Sequence, residues 1–194
     1  MEVVLDKQYP VASGVDAAWA ILSDMNELAT CMPGAQITEK VDDKNYKGSV
    51  RVKVGPAVAA FAGTIEVLTL DPASRTLKMM GKGADKAGSS ASMELTARLL
   101  PAADGQCTLD GHAEVIVNGK FAQFGGRMMT SVSDMILAQF ADVFSQKALA
   151  RQGPAAGASG GATTAAPVVA KEFNALGLVW AMIRKFFAGL FGKK

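Results

Sequence analysis

The period of apolar and polar positions changes three times along the chain. A short strand is expected from Glu2 to Tyr9, ended by Pro10. Val15, Trp19 and Leu22 then recur at helical spacing, and Ser13 with Asp16 three residues on reads as the cap of that helix. Asp24 with Glu27 makes a second cap, opening a short helix that runs through Leu28 and is stopped by Pro33-Gly34. From Tyr46 the period becomes two. Tyr46, Gly48, Val50, Val52 and Val54 fall on one face, Lys47, Ser49, Arg51 and Lys53 on the other. The same alternation carries Phe61, Gly63, Ile65 and Val67, then Leu77, Met79 and Gly81, then Met93, Leu95, Ala97 and Leu99, and finally Leu109, Gly111, Ala113, Val115 and Val117. Turns are expected at Asp42-Asp43, Gly55-Pro56, Asp71-Pro72 and Ala103-Asp104-Gly105. This is an antiparallel meander with one apolar and one polar face.

After Gly119 the helical period returns. Phe121, Phe124, Met128, Val132, Met135, Ile136, Phe140, Val143 and Phe144 form a single stripe reaching about Leu149, and the apolar face of the sheet is there to cover it. The expected fold is α+β of helix-grip type: a curved antiparallel sheet of about seven strands around a long C-terminal helix, with two short helices after the first strand. Residues 1–150 make this domain. The stretch 151–170, rich in Gly, Ala and Pro, has no large apolar run to offset the entropy of ordering, so it reads as a flexible linker spanning roughly 20–25 Å.

Residues 171–194 are expected to form an amphipathic helix. Phe173, Leu176, Trp180, Ile183, Phe187, Leu190 and Phe191 repeat at three and four, while Arg184 and Lys185 interrupt any membrane-spanning run. Lys171, Arg184, Lys185, Lys193 and Lys194 against Glu172 give the tail a positive charge, which leaves the rest of the chain negative within a net charge of +2. Cations opposite Trp and Phe describe a helix lying in a membrane interface. Docking on a partner protein or on the domain itself stays open.

Composition narrows the chemistry. At 194 residues, 49% hydrophobic and 20% charged, the chain is not disordered throughout, and a net charge of +2 does not suit a nucleic-acid binder. Two cysteines, Cys31 and Cys107, provide neither a disulfide framework nor a four-thiolate metal site, and a single histidine, His112, argues against a His-based metal site or a Ser-His-Asp triad. Gly81-Lys82-Gly83 lacks the strand–loop–helix setting of a phosphate loop. The alternation turns only Lys7 and Glu39 inward among charged groups, with Tyr9 and Tyr46 adding hydroxyls, so no catalytic constellation or metal site is expected. The inward residues are apolar instead: Phe61, Ile65, Leu77, Met79, Met93, Leu95, Val115, Phe124, Met128 and Met135. Either they fill a core or they line a cavity for a bulky apolar ligand, which Met suits by its adaptable shape. Gly48, Gly63, Gly81 and Gly111 on the same face remove side-chain volume or let strands bend. The N-terminus lacks a basic segment followed by an apolar run, so a cytoplasmic location is expected, peripheral on the inner face of the cell membrane through the tail.

Over residues 1–149 the sequence resembles the CoxG family of carbon monoxide dehydrogenase proteins, within the START/Bet v 1-like (SRPBCC) superfamily. The resemblance rests on Val15-Asp-Ala-Ala-Trp19-Ala-Ile-Leu22-Ser-Asp24, Leu28-Ala-Thr-Cys31-Met32-Pro33-Gly34, Tyr46-Lys-Gly48-Ser-Val50-Arg-Val52-Lys-Val54-Gly55-Pro56, Phe61-Ala-Gly63 and Gly119-Lys120-Phe121-Ala122-Gln123-Phe124-Gly125-Gly126-Arg127, in that order. It implies a helix-grip fold with a hydrophobic cavity. It also implies a partnership with the molybdenum-containing CO dehydrogenase or a related hydroxylase, recruited to the cytoplasmic membrane, and no catalytic residues. The functional expectation is a carrier that binds a hydrophobic small molecule, a respiratory quinone (menaquinone or ubiquinone), and links the dehydrogenase to electron transport without covalent cofactor or metal. An adaptor without ligand, a maturation factor for the dehydrogenase and a cyclase-like enzyme are the competing readings.

Overall fold

A computed structural model describes residues 1–54 and 57–153. The Gly55-Pro56 turn, the linker from residue 154 and the amphipathic segment 171–194 lie outside the described residues. The element order is β1 (Glu2–Val11), α1 (Val15–Leu22), α2 (Met25–Cys31), β2 (Ala35–Lys40), β3 (Asn45–Val54), β4 (Ala57–Asp71), β5 (Thr76–Asp85), β6 (Ser90–Pro101), β7 (Cys107–Asn118) and α3 (Gly126–Gln152). Two short 3-10 turns, Ala103–Gly105 and Lys120–Phe124, flank β7. The seven strands form one antiparallel sheet in the order β1-β7-β6-β5-β4-β3-β2, so the first strand closes against the last and β1 and β2 are the edges. This is the helix-grip architecture.

Local chemistry explains most boundaries. Asp24 caps α2, its carboxylate accepting from the Asn26 and Glu27 amides at 2.9 and 3.1 Å. Ser13 does not cap α1. The N-cap is Gly14, without a side-chain cap bond, and Ser13 is buried. The chain just before α1 is tied to α3 instead: Gln152 Oε1 accepts from the Gly14 amide at 2.8 Å and Ser145 Oγ from the Ala12 amide at 3.0 Å. Strand β1 continues through Pro10 to Val11, with Pro10 opposite Thr108. An edge strand tolerates a residue without an N–H.

The main core lies where α1, α2 and the C-terminal half of α3 meet the sheet. Ile21, Leu22, Leu77 and Phe144 are sealed there, with Cys31 and Cys107 among them. Two smaller clusters sit under the N-terminal half of α3, around Val3, Leu5 and Ala113 and around Ala59, Val117 and Phe121. Lys147 on α3 reaches Glu27 on α2 at 2.9 Å.

The buried face of α3 differs from the expected stripe. Met128 and Met135 are exposed, at 39% and 51%, as is Val143. Met129 and Leu137 pack against the sheet instead, ahead of Phe140 and Phe144. Phe121 and Phe124 belong to the preceding 3-10 turn, and Gly125 with φ +77° separates that turn from α3. The helical period therefore cannot be carried from one into the other.

Candidate functional site: the inner face of the sheet

Strand pairing sets the inner face out in rows. Tyr46, Ile65, Gly81, Met93 and Val115 face one another across β3 to β7. The next row holds Val67, Met79, Leu95, Ala113 and Leu5. Of the ten expected lining residues, Phe61, Ile65, Met79, Met93, Leu95, Val115 and Phe124 are half-buried on this side, Leu77 is sealed in the core, and Met128 and Met135 stand exposed on α3. The half-buried ones are divided among the three clusters rather than gathered in one, and Phe61 and Phe124 flank Phe121 with ring centroids 5.8 and 6.0 Å away.

The inward glycines do two different things. Gly48, Gly63, Gly83 and Ala91 make a row of small residues across β3 to β6. A Cβ on Gly63 would stand 1.8 Å from the Lys82 carbonyl oxygen, so glycine is needed there for close approach of two backbones. At Gly81 a Cβ would meet only Met93 Cε, at the ordinary contact distance of 4.0 Å, so a methyl fits there without displacing backbone.

The inward charges are settled by partners. Lys7 Nζ meets Asp134 Oδ1 of α3 at 2.8 Å, and the hydrogen bond to Asp134 followed by its charge raises the Lys7 amine above its ordinary value. Burial raises the Tyr9 phenol. Glu39 does not face inward. A bulge between Ile37 and Glu39 shifts the register, so Glu39 lies opposite Lys47 on the outer face and pairs with it at 2.9 Å. Tyr46 is buried, its hydroxyl 3.4 Å from the Asp43 carbonyl. Gly81-Lys82-Gly83 lies within β5 and forms no loop.

His112 is exposed on the outer face, with Nδ1 2.6 Å from Asp6 and Nε2 3.6 Å from Glu114. Both thiols are buried, and burial pushes the Cys31 and Cys107 values up, away from the reactive thiolate. Among the described residues no three His, Cys, Asp or Glu side chains gather to hold a metal ion, and no helix is long and apolar enough to cross a membrane. A cleft of about 270 Å³ lies on the β1 side of α3, lined by Tyr9, Pro10, Ala138, Ala141, Asp142, Ser145 and Gln146. It shares no residue with the expected lining.

The inner face is apolar and partly accessible, as a binding surface for an apolar molecule would be. The sequence profile of the CoxG proteins of carbon monoxide dehydrogenase matches residues 8–149. The chain belongs to the CoxG family. As a CoxG protein it is associated with carbon monoxide dehydrogenase as an accessory protein. No curated protein matches the chain.

Solved structures share the fold at low identity. A conserved protein from Geobacillus kaustophilus superposes with a TM-score of 0.67 at 20% identity, covering 77% of this chain and 96% of that one. The Zhui aromatase/cyclase from Streptomyces sp. R1128 gives 0.60 at 16% identity, covering 82% and 100%. A START superfamily protein from Mycobacterium smegmatis gives 0.54 at 16% identity, covering 76% and 97%. These likenesses establish the START-like fold of this CoxG chain and carry no activity over to it.

Proposed function

We propose that this CoxG protein carries a respiratory quinone in the space between the sheet and α3, and holds the molybdenum-containing CO dehydrogenase at the inner face of the membrane through residues 171–194. The observation that carries the reading is the half-buried apolar row at Ile65, Met93 and Val115, in which Gly81 stands without a side chain. Methionine and aliphatic side chains fit the ring and isoprenoid tail of a quinone, and no bound metal or flavin is needed. Family membership supplies the dehydrogenase. Electrons from such an enzyme must reach a respiratory chain whose apolar carrier is confined to the bilayer. A cationic segment in which Phe173, Trp180, Phe187 and Phe191 recur at helical spacing suits reversible binding to that surface.

The full chain, purified from a quinone-containing host without detergent, is extracted into organic solvent and assayed by mass spectrometry. A stoichiometric quinone supports carriage, and Met93→Lys lowers the yield in protein that still folds, because an unpaired charge there is costly. Extraction of no apolar molecule leaves the adaptor reading, in which the chain anchors the dehydrogenase without a ligand. Removal of 168–194 lowers partition to anionic vesicles and uncouples CO oxidation from respiration while a soluble dye is still reduced. Normal respiration without the tail overturns both readings.

A further inference from the structure

The two ends of the domain differ in charge. Beyond the row Gly48, Gly63, Gly83, Ala91 and Val117, the far end of β3, the start of β4, the β5–β6 turn, the Lys120–Phe124 turn and the first turn of α3 come together. Contacts of Lys120 with Asp85 and of Phe61 with Phe121 join these segments. Arg51, Lys53, Lys86, Lys120 and Arg127 are all exposed there. Among the described residues the one carboxylate of this end, Asp85, accepts from the Ala87 and Ser89 amides of its own turn. Among the same residues Arg51, Lys53, Lys86 and Arg127 make no ion pair. At the opposite end Asp16, Asp24, Asp42, Asp43, Asp71 and Asp104 outnumber the cations, of which Lys40, Arg75 and Lys147 are paired while Lys44 is exposed without an ion pair among the described residues.

The basic end also exposes isolated apolar side chains, Val58 at 56% and Met128 at 39%. At the same end the rings of Phe61, Phe121 and Phe124 pack on one another on the inner face of the sheet. Unpaired cations with separate apolar side chains fit an anionic lipid headgroup layer, where the cations meet phosphate and each apolar group sinks in singly. A protein interface would centre instead on a contiguous apolar core.

We infer that this basic end is the membrane-facing end of the domain, a second lipid contact independent of residues 171–194, which points the aromatic trio and the inner face at the bilayer. The inference rests on the carrier reading for its purpose but is tested separately. A polarity-sensitive fluorophore is attached to the full chain at Val58→Cys or, at the opposite end, Val41→Cys. Both positions are exposed and the native thiols are buried. Vesicles of phosphatidylcholine with 30% phosphatidylglycerol (roughly the anionic fraction that gives a strong surface potential) shift the position-58 signal to the blue and leave position 41 unchanged. The triple variant Lys53→Glu, Lys86→Glu, Arg127→Glu loses about 100-fold in vesicle affinity, since each basic residue near an anionic surface contributes roughly fivefold. Lys40→Glu, Lys44→Glu, Lys78→Glu, with the same change in net charge, loses far less. Equal losses for the two triples, or no shift at position 58, overturn the inference. Unchanged vesicle affinity with weakened binding of the dehydrogenase also overturns it and assigns the patch to the protein partner. A blue shift with no extractable quinone keeps this orientation and removes carriage. Extracted quinone with no shift does the reverse.

Discussion

Gly63 and Gly81 stand on the same face of neighbouring strands yet meet opposite surroundings. Gly63→Ala drives a methyl into the Lys82 carbonyl, 1.8 Å away, and the strands must separate. The expected cost is about 3 kcal/mol or more, read as a fall in the denaturation midpoint. Gly81→Ala meets nothing nearer than 4.0 Å and should change stability by less than about 1 kcal/mol, while filling space beside Met93. If ligand occupancy then drops at constant stability, the position of Gly81 belongs to the binding site. His112 offers a second residue-level test. Its hydrogen bond to Asp6, then the Asp6 charge and the contribution of Glu114, raise the imidazole above its ordinary value. A raised folded-state value means that the stabilisation is complete below the ordinary histidine range, about 6.5, and fades as pH climbs through the raised value. As the sole histidine, it gives one unambiguous imidazole signal in an NMR titration. Its midpoint should lie above that range and fall back in Asp6→Asn; an unmoved midpoint in the variant would remove Asp6 as the cause.

At the scale of elements, α3 decides how the site is built. Its C-terminal half carries Phe144, fully buried between α1, α2 and the sheet, and Phe144→Ala should cost about 3–5 kcal/mol. Met135→Ala, on the exposed side, should stay within about 0.5 kcal/mol in the same urea titration. Equal costs would mean that α3 is rotated. The strands were legible because one buried face enforces a period of two, and the rows at Ile65 and Met79 follow from it directly. The phase of α3 was not legible in its first half. Phe121 and Phe124 look continuous with the helix in sequence, and only the left-handed conformation of Gly125 breaks them from it. Glu39 was misplaced for a related reason, since a one-residue bulge flips every later side chain of a strand. The caps divide the same way. Asp24 closes α2 through neighbours in sequence, whereas the entry to α1 is held at Gly14 by Gln152 of α3, which no local pattern could reveal.

For the whole molecule, the proposed carriage requires that a bulky ligand pass between sheet and helices. The buried thiols can time that opening. Cys31 lies on α2 and Cys107 at the start of β7, both about 1% exposed in the same core cluster. A thiol reagent reaches each only when its own surroundings part, so the two labelling rates act as clocks fixed to different elements. If the helices lift while the sheet stays intact, Cys31 should react well before Cys107, and added quinone should slow Cys31 alone. Matched rates that both follow global stability would mean that the helices and sheet open together. A pair of inert thiols would then set a lower bound on the residence time of any cargo enclosed by the fold.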